Sequence, residues 1–370
     1  MVDWIEVRNN FPALQKYTYL NAAAGSPLPD RTAQAAKDYY DEMSMLGDLP
    51  FEDWLEKKER IRKVVADFIN ADPEEIAFII NTSDGLNIIA DMLRGRGDVL
   101  TMEHEFPTTS FPWIHRGVRV NFVESEDRVY PLNKIEDSIT SGTKMLITSH
   151  VQYCTGFRQD LEALGDLCRA HNLVYIVNAT QSMGAMPVDV KKAGIDFLVF
   201  LGLKWPMAGY GIGAMYISRK MQEEARFPRV GWRSVYDPES MENRKIQLRK
   251  EASVLEMGCP PFPNIFALGE SLRFISEIGV DKAQRRIFEL NALLERGIKR
   301  LRLEIASPLQ ERYRSGITII RMENAEEIVA ELAKKNIIVS ERGGGIRASV
   351  HIYNNTEDID RFLTALKDAI

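Results

Sequence analysis

A chain of 370 residues, 45% of them hydrophobic and 27% charged, is long enough for one large domain and a smaller one. Its formal net charge of -6, with no long Lys/Arg run, argues against a nucleic-acid partner, and no apolar run approaches the ~18 residues a membrane-spanning helix needs. The three cysteines, Cys154, Cys168 and Cys259, have neither metal-like nor disulfide-like spacing, and MVDWIEVRNNF lacks the basic start and apolar core of a signal peptide, so a cytoplasmic, reducing location is expected.

In chain order, residues 53–70 (DWLEKKERIRKVVADFIN) carry apolar side chains at helical spacing. Short β-rich runs come next: IAFII, VLTM, VRVNFV, KMLITSHV, LVYIV and FLVFL. Helix-like pieces such as DGLNIIADML and LEALGDLCRAHN lie between them, and GIGAMYIS reads as a further strand. Strands alternating with helices predict an α/β domain around a mainly parallel, buried sheet. After about residue 250 come two helical stretches, 265–276 and 286–302. GITIIRM, AEEIVAELAKKN, IIVSER, IRASVHIY and TEDIDRFLTALKDAI then predict a small α+β domain. The large domain is placed at 15–255, and the small one at 1–14 with 256–370.

Ligands of open α/β sheets collect at the carboxyl ends of strands, so the residues just after each run are the site candidates. After IAFII, Asn81-Thr82-Ser83-Asp84-Gly85 opens a helix; it is either a plain cap or a seat for phosphate. After VLTM, Phe106 either stacks on a flat ligand or joins the core. Asn178-Ala179-Thr180-Gln181, after LVYIV, suits a site or a satisfied turn. After FLVFL, Lys204 sits between Leu203 and Trp205, an apolar setting that lowers an amine's pKa and lets it attack a carbonyl. The GYGIG beyond it precedes a strand and has the wrong spacing for a dinucleotide fingerprint.

Taken together, these segments resemble the class V aminotransferase family of pyridoxal-phosphate enzymes, from YLNAAAGSPLP at 19–29 to IRASVHIYNNTEDID at 346–360. The most specific stretch, VNATQSMGAMPVDVKKAGIDFLVFLGLKWPMAGYGIGAMYI, looks like the family's Asp-x-x-Gln-Ser-x-Gly, Pro-x-Asp-Val and Lys segments. The resemblance implies fold type I, with a large domain on a mostly parallel seven-stranded sheet, a small C-terminal domain and a homodimer with shared active sites. It implies pyridoxal 5'-phosphate as cofactor. Lys204 matches the Schiff-base lysine, Thr82 and Ser83 the phosphate-binding turn, and Phe106 the ring-stacking position. Gln181 matches the partner of the phenolic oxygen, Arg347 the arginine that grips a substrate carboxylate, and Asn21 a residue near the substrate.

Four positions depart from the pattern. Asn178 stands where the family has Asp against the pyridine nitrogen, Leu201 and Leu203 where many members have Ser and His as phosphate ligands, and Cys259 where Thr reaches the neighbouring subunit's phosphate. The resemblance implies an enzyme acting on a small amino acid and does not choose among transamination, elimination and epimerisation. Cysteine desulfurase is expected to be unlikely, because SERGGGIRASV has no cysteine before the arginine segment. A kynureninase remains possible in outline. A non-catalytic homologue that binds the cofactor weakly is the alternative.

Overall fold

The computed structural model describes residues 2–370. After a two-residue strand, β1 (Thr18–Tyr19), seven strands build the central sheet: β2 (Ile76–Ile79), β3 (Asp98–Met102), β4 (Val120–Val123), β5 (Thr143–Ser149), β6 (Val174–Asn178), β7 (Phe197–Leu201) and β8 (Gly213–Ile217). Their order is β2-β8-β7-β6-β5-β3-β4. All neighbours run parallel except those of β8, which is antiparallel to β2 and β7. The expected α/β fold with a mainly parallel sheet is what the chain forms.

The sheet is covered on both faces, which is why β6 and β7 read as unbroken apolar runs. Alternation within each strand sends its side chains to two cores. Leu146, Tyr175, Val177, Leu198 and Phe200 pack on one face with α3 (Phe51–Phe68) and the helix Phe262–Ile278. Met145, Ile147, Ile176, Phe197 and Val199 pack on the other with α4 (Thr82–Met92). The two remaining N-terminal helices are α1 (Trp4–Asn9) and α2 (Asp30–Leu46), and α2 crosses the helix Phe262–Ile278.

A second layer is built from β9 (Ile317–Arg321), β10 (Ile337–Ile338), β11 (Ser340–Glu341) and β12 (Gly345–Ser349). β11, β12 and β9 form an antiparallel sheet, while β10 pairs in parallel with β1. Phe11, Leu14, Leu20 and Ala22 therefore share a core with Ile319, Ile346 and Phe362. Asn21 bridges to Ser349. This brings the N-terminal strap and β12 over the carboxyl ends of β5, β6 and β7. No helix among the described residues is long and apolar enough to cross a membrane.

Candidate active site

Lys204 lies beyond β7 in a turn whose shape is fixed from both sides. Met207 N–H donates to Lys204 O, and Trp205 is fully buried. The Trp205 indole N–H donates to Gln181 Oε1 at 2.9 Å, and its carbonyl lies 3.0 Å from His351 Nε2. Ile352 N–H donates to His351 Nδ1 at 2.7 Å, so Nε2 carries the proton and donates to Trp205. Burial pushes His351 down to about 4, which preserves this neutral tautomer. The indole also needs a bare backbone opposite: a Cβ at Gly316 would lie 2.6 Å from its ring.

The Lys204 side chain is partly buried, forms no ion pair with a carboxylate, and points its Nζ over the Phe106 ring at 5.9 Å. Burial, assisted by the charge of Arg347, pushes its amine down to about 7. Arg347, on β12, is buried and also lacks a carboxylate partner. Its Nε donates to Ser340 Oγ at 3.2 Å and its Nη1 to the Tyr153 carbonyl at 3.1 Å. Burial first, and Arg342 second, lower it to about 10. A buried guanidinium and a partly buried amine held near one another, with no carboxylate partner among the described residues, form a place that favours an anion. An amine neutral part of the time near pH 7 can attack a carbonyl.

The N terminus of α4 lies at the other end of the same groove. Asn81 Oδ1 takes the N–H of Asp84 at 2.9 Å, so the cap leaves the N–H groups of Thr82 and Ser83 without an intrahelical acceptor. Thr108 Oγ1 donates to Ser83 Oγ at 2.6 Å, which ties this turn to the segment carrying Phe106. A cavity of about 440 Å³ lined by Ser83, Asn87, Phe106 and Thr108 opens there. Leu203 contributes nothing polar: a Cβ at Gly25 would lie 3.1 Å from it, and its carbonyl accepts Ser26 N–H. Leu201 ends β7 opposite Gly213.

On the groove floor, Asn178 and Gln181 are both buried. Asn178 Oδ1 accepts Thr180 N–H at 3.1 Å. Gln181 Nε2 donates one hydrogen to the Ala23 carbonyl at 3.0 Å and keeps a second. Among the described residues, Asn21 Oδ1 is buried without a partner. Contacts link the site residues pairwise: Ser83 to the Phe106 segment through Thr108, Phe106 to Lys204 across 5.9 Å, Gln181 to the Lys204 turn through Trp205, and Asn21 to the Arg347 strand through Ser349. Cys259 is exposed.

Four further residues belong to the groove and escaped the sequence. Tyr153 sets its ring edge-on to Phe106, centroids 5.2 Å apart, beside Arg347. It lies just past KMLITSHV, so the strand-end rule that found Lys204 also applied to it. Glu105 is buried and bonded to Ser149 N (2.6 Å), Ser149 Oγ (2.5 Å) and Gln152 Nε2 (2.7 Å), which fixes the backbone before Phe106; desolvation raises its pKa. His351 orients the Trp205 turn. Arg229 donates to Asp84 Oδ1 at 2.8 Å in the first turn of α4, and nothing in the irregular segment around it announced this.

Comparison with known proteins places this geometry. The model of the family described as aminotransferase class-V matches residues 18–362. A probable cysteine desulfurase of Pyrococcus abyssi is 28% identical, covering 99% of this chain and 97% of that one. The uncharacterized aminotransferase YcbU of Bacillus subtilis is also 28% identical, over 96% and 95% of the two chains. The apo structure of a cysteine desulfurase from Thermococcus onnurineus superposes with a TM-score of 0.91 at 27% identity, covering 100% and 98%. These matches overturn the expectation that cysteine desulfurase is unlikely. That expectation rested on a loop without cysteine and on placing Cys154 and Cys168 in the large domain and Cys259 at the phosphate position. In the structure the backbone carbonyl of Cys154 meets that loop at Gly343, while its thiol turns to the His104 carbonyl and burial pushes it up to about 11.

Proposed function

Because the chain belongs to the class V aminotransferase family, whose members use pyridoxal phosphate, we propose that Lys204 holds that cofactor as a Schiff base and that the enzyme acts on a small amino acid bound through Arg347. An aminotransferase or a lyase on this scaffold is consistent with the relatives, and their names favour cysteine as a substrate. The observation that carries the reading is buried Arg347 beside partly buried Lys204, neither with a carboxylate partner among the described residues, the amine lowered to about 7.

The residues present fit the cofactor. The Phe106 face suits a flat ring, the free N–H groups of Thr82 and Ser83 suit a phosphate, and the spare hydrogen of Gln181 suits a phenolic oxygen. Pyridoxal phosphate supplies an aldehyde for the amine and a ring that accepts electrons from the α-carbon. The protein supplies the rest. Arg347 takes the substrate carboxylate in a charge-assisted, fork-like pair. The Lys204 amine accepts and returns the α-proton, since a group near 7 exchanges protons at neutral pH. Tyr153 and Phe106 wall off water, and Asn21 offers a bare oxygen to the substrate amine.

A homodimer is part of this proposal. Ile80, Phe111, Ile114 and Tyr210 are all exposed, apolar surface that a second copy would cover. Sedimentation of the holoenzyme at twice the monomer mass is the expected result.

Borohydride reduction and peptide mapping test the central claim. The pyridoxyl group is expected on Lys204, and Lys204→Ala is expected to abolish turnover. A label on another lysine refutes the assignment. A visible band that does not respond to any added amino acid supports the non-catalytic alternative instead.

A further inference from the structure

A Schiff base at Lys204 leaves open which bond the enzyme breaks, and the floor of the groove bears on that. The ring nitrogen of the cofactor lies para to its aldehyde. A ring held by its aldehyde at Lys204 and its phosphate at the N terminus of α4 would turn that nitrogen toward the strand ends, where β6 stops at Asn178.

The orientation of the Asn178 amide is set by chemistry. Thr180 N–H, 3.1 Å away, can bond only to an oxygen, so Oδ1 faces Thr180 and Nδ2 faces the other way. Among the described residues Nδ2 has no partner. The backbone carbonyl of Asn178 accepts His150 N–H at 3.0 Å, which fixes the strand end itself. Glu105 is committed to Ser149 and Gln152, and His150 is buried and neutral, pushed down to about 3.

Resting on the proposed role of Lys204, we propose that Asn178 donates its Nδ2 hydrogen to an unprotonated pyridine nitrogen and thereby suits the enzyme to amino acids that carry a leaving group on the β-carbon. A hydrogen-bond donor cannot coexist with a proton on the same nitrogen. A neutral ring withdraws electrons from the α-carbon less than a pyridinium does, which penalises routes that store the electron pair in the ring, transamination among them. β-Elimination stores it elsewhere. The α-proton passes to the Lys204 amine, and the C–H electron pair becomes the Cα–Cβ double bond. The Cβ–X bond breaks with its electrons leaving on X, which then takes up a proton. Water hydrolyses the released enamine to a 2-oxo acid and ammonia. No external oxidant or reductant is needed. A thiol or sulfide is the class of X that the relatives' names favour.

The test uses the holoenzyme reconstituted with 15N-labelled pyridoxal phosphate. Its ring nitrogen is expected at the chemical shift of an unprotonated, hydrogen-bonded pyridine, and in Asn178→Asp at that of a pyridinium. With β-chloroalanine as substrate, 2-oxo acid release is expected to exceed conversion of the cofactor to its amine form. In Asn178→Asp that ratio is expected to fall by about tenfold, the change that a barrier shift of about 1.4 kcal/mol produces. A pyridinium shift in the parent protein overturns the proposal, and that measurement needs no variant. A protonated ring in Asn178→Asp with an unchanged ratio overturns the link to reaction type. No bound cofactor at Lys204 would instead overturn the reading on which the proposal rests.

Discussion

A buried guanidinium without a counter-ion is costly, and Arg347 is tolerated because Ser340 and the Tyr153 carbonyl take part of its hydrogen-bonding capacity. In the proposed reading an arriving substrate carboxylate completes it. Arg347→Ala is therefore expected to raise the apparent substrate constant at least about thirtyfold, since losing one partner of a buried charged pair costs about 2 kcal/mol or more. Cofactor content should stay the same; a loss of both would assign Arg347 to the cofactor instead. The same cation also acts on Lys204. The amine is depressed, so it is protonated below about 7 and nucleophilic above it. Uptake of pyridoxal phosphate by the apo protein should rise with pH through about 7. Arg347→Gln, which removes the neighbouring charge, should move that midpoint upward. An unmoved midpoint in rapid-mixing absorbance would separate the two residues electrostatically.

In the proposed reading, the N terminus of α4 is the element on which cofactor retention depends. With Leu201 and Leu203 unable to bond a phosphate, the free N–H groups of Thr82 and Ser83 are left as donors, and Arg229 adds a cation held to the first turn by Asp84. Arg229→Ala is expected to speed loss of cofactor on dialysis while leaving the melting temperature of the apo protein unchanged. Equal retention would confine Arg229 to pairing with Asp84. Asn81→Ala should cost about 1 kcal/mol of stability through the lost cap. Sequence legibility obeys the same physics. Strands buried on both faces announced themselves as apolar runs, and their ends carried Lys204, Thr82 and Asn178. Helix α2 did not, because nearly all its side chains are exposed or half-buried and no apolar stripe marks it. Nor could apolar runs reveal that β8 is antiparallel, a matter of pairing rather than composition. Arg229 lies in irregular chain, where periodicity says nothing. The groove was half legible: residues at strand ends could be seen, but those delivered by tertiary packing, such as His351 against Trp205, could not.

Across the whole molecule three buried groups make acid the solvent change to which this fold is most exposed. Glu256 joins α3 to β2: it accepts from Arg62 at 2.5 and 2.8 Å, from Lys58 at 2.9 Å and from Phe78 N–H at 2.9 Å. Burial alone would raise its pKa, but the two cations outweigh that and hold it at about 2. A depressed carboxylate contributes its stability above its unfolded pKa, near 4.5, and loses it as pH falls toward 2. His351 and His150 are depressed bases, at about 4 and about 3 against 6.5. Below 6.5 the unfolded chain binds protons that the folded chain refuses, so each histidine withdraws stability as pH falls, by about 1.4 kcal/mol per pH unit until its folded value is reached. The histidine window opens first, and the carboxylate adds to it only below about 4.5. Urea midpoints of the apo protein measured from pH 7 down to 3 should therefore begin to fall near 6.5 and steepen below 4.5. His351→Gln should flatten the upper part of that curve and leave the lower part. Glu256→Gln should do the reverse, and should be less stable at pH 7 because buried Arg62 loses one of its two carboxylates and keeps only the more exposed Glu59. Midpoints flat down to pH 5 would show that His351 is protonated in the folded state. That result would also undo the assignment of its Nε2 hydrogen to the Trp205 carbonyl as a contact requiring the neutral ring.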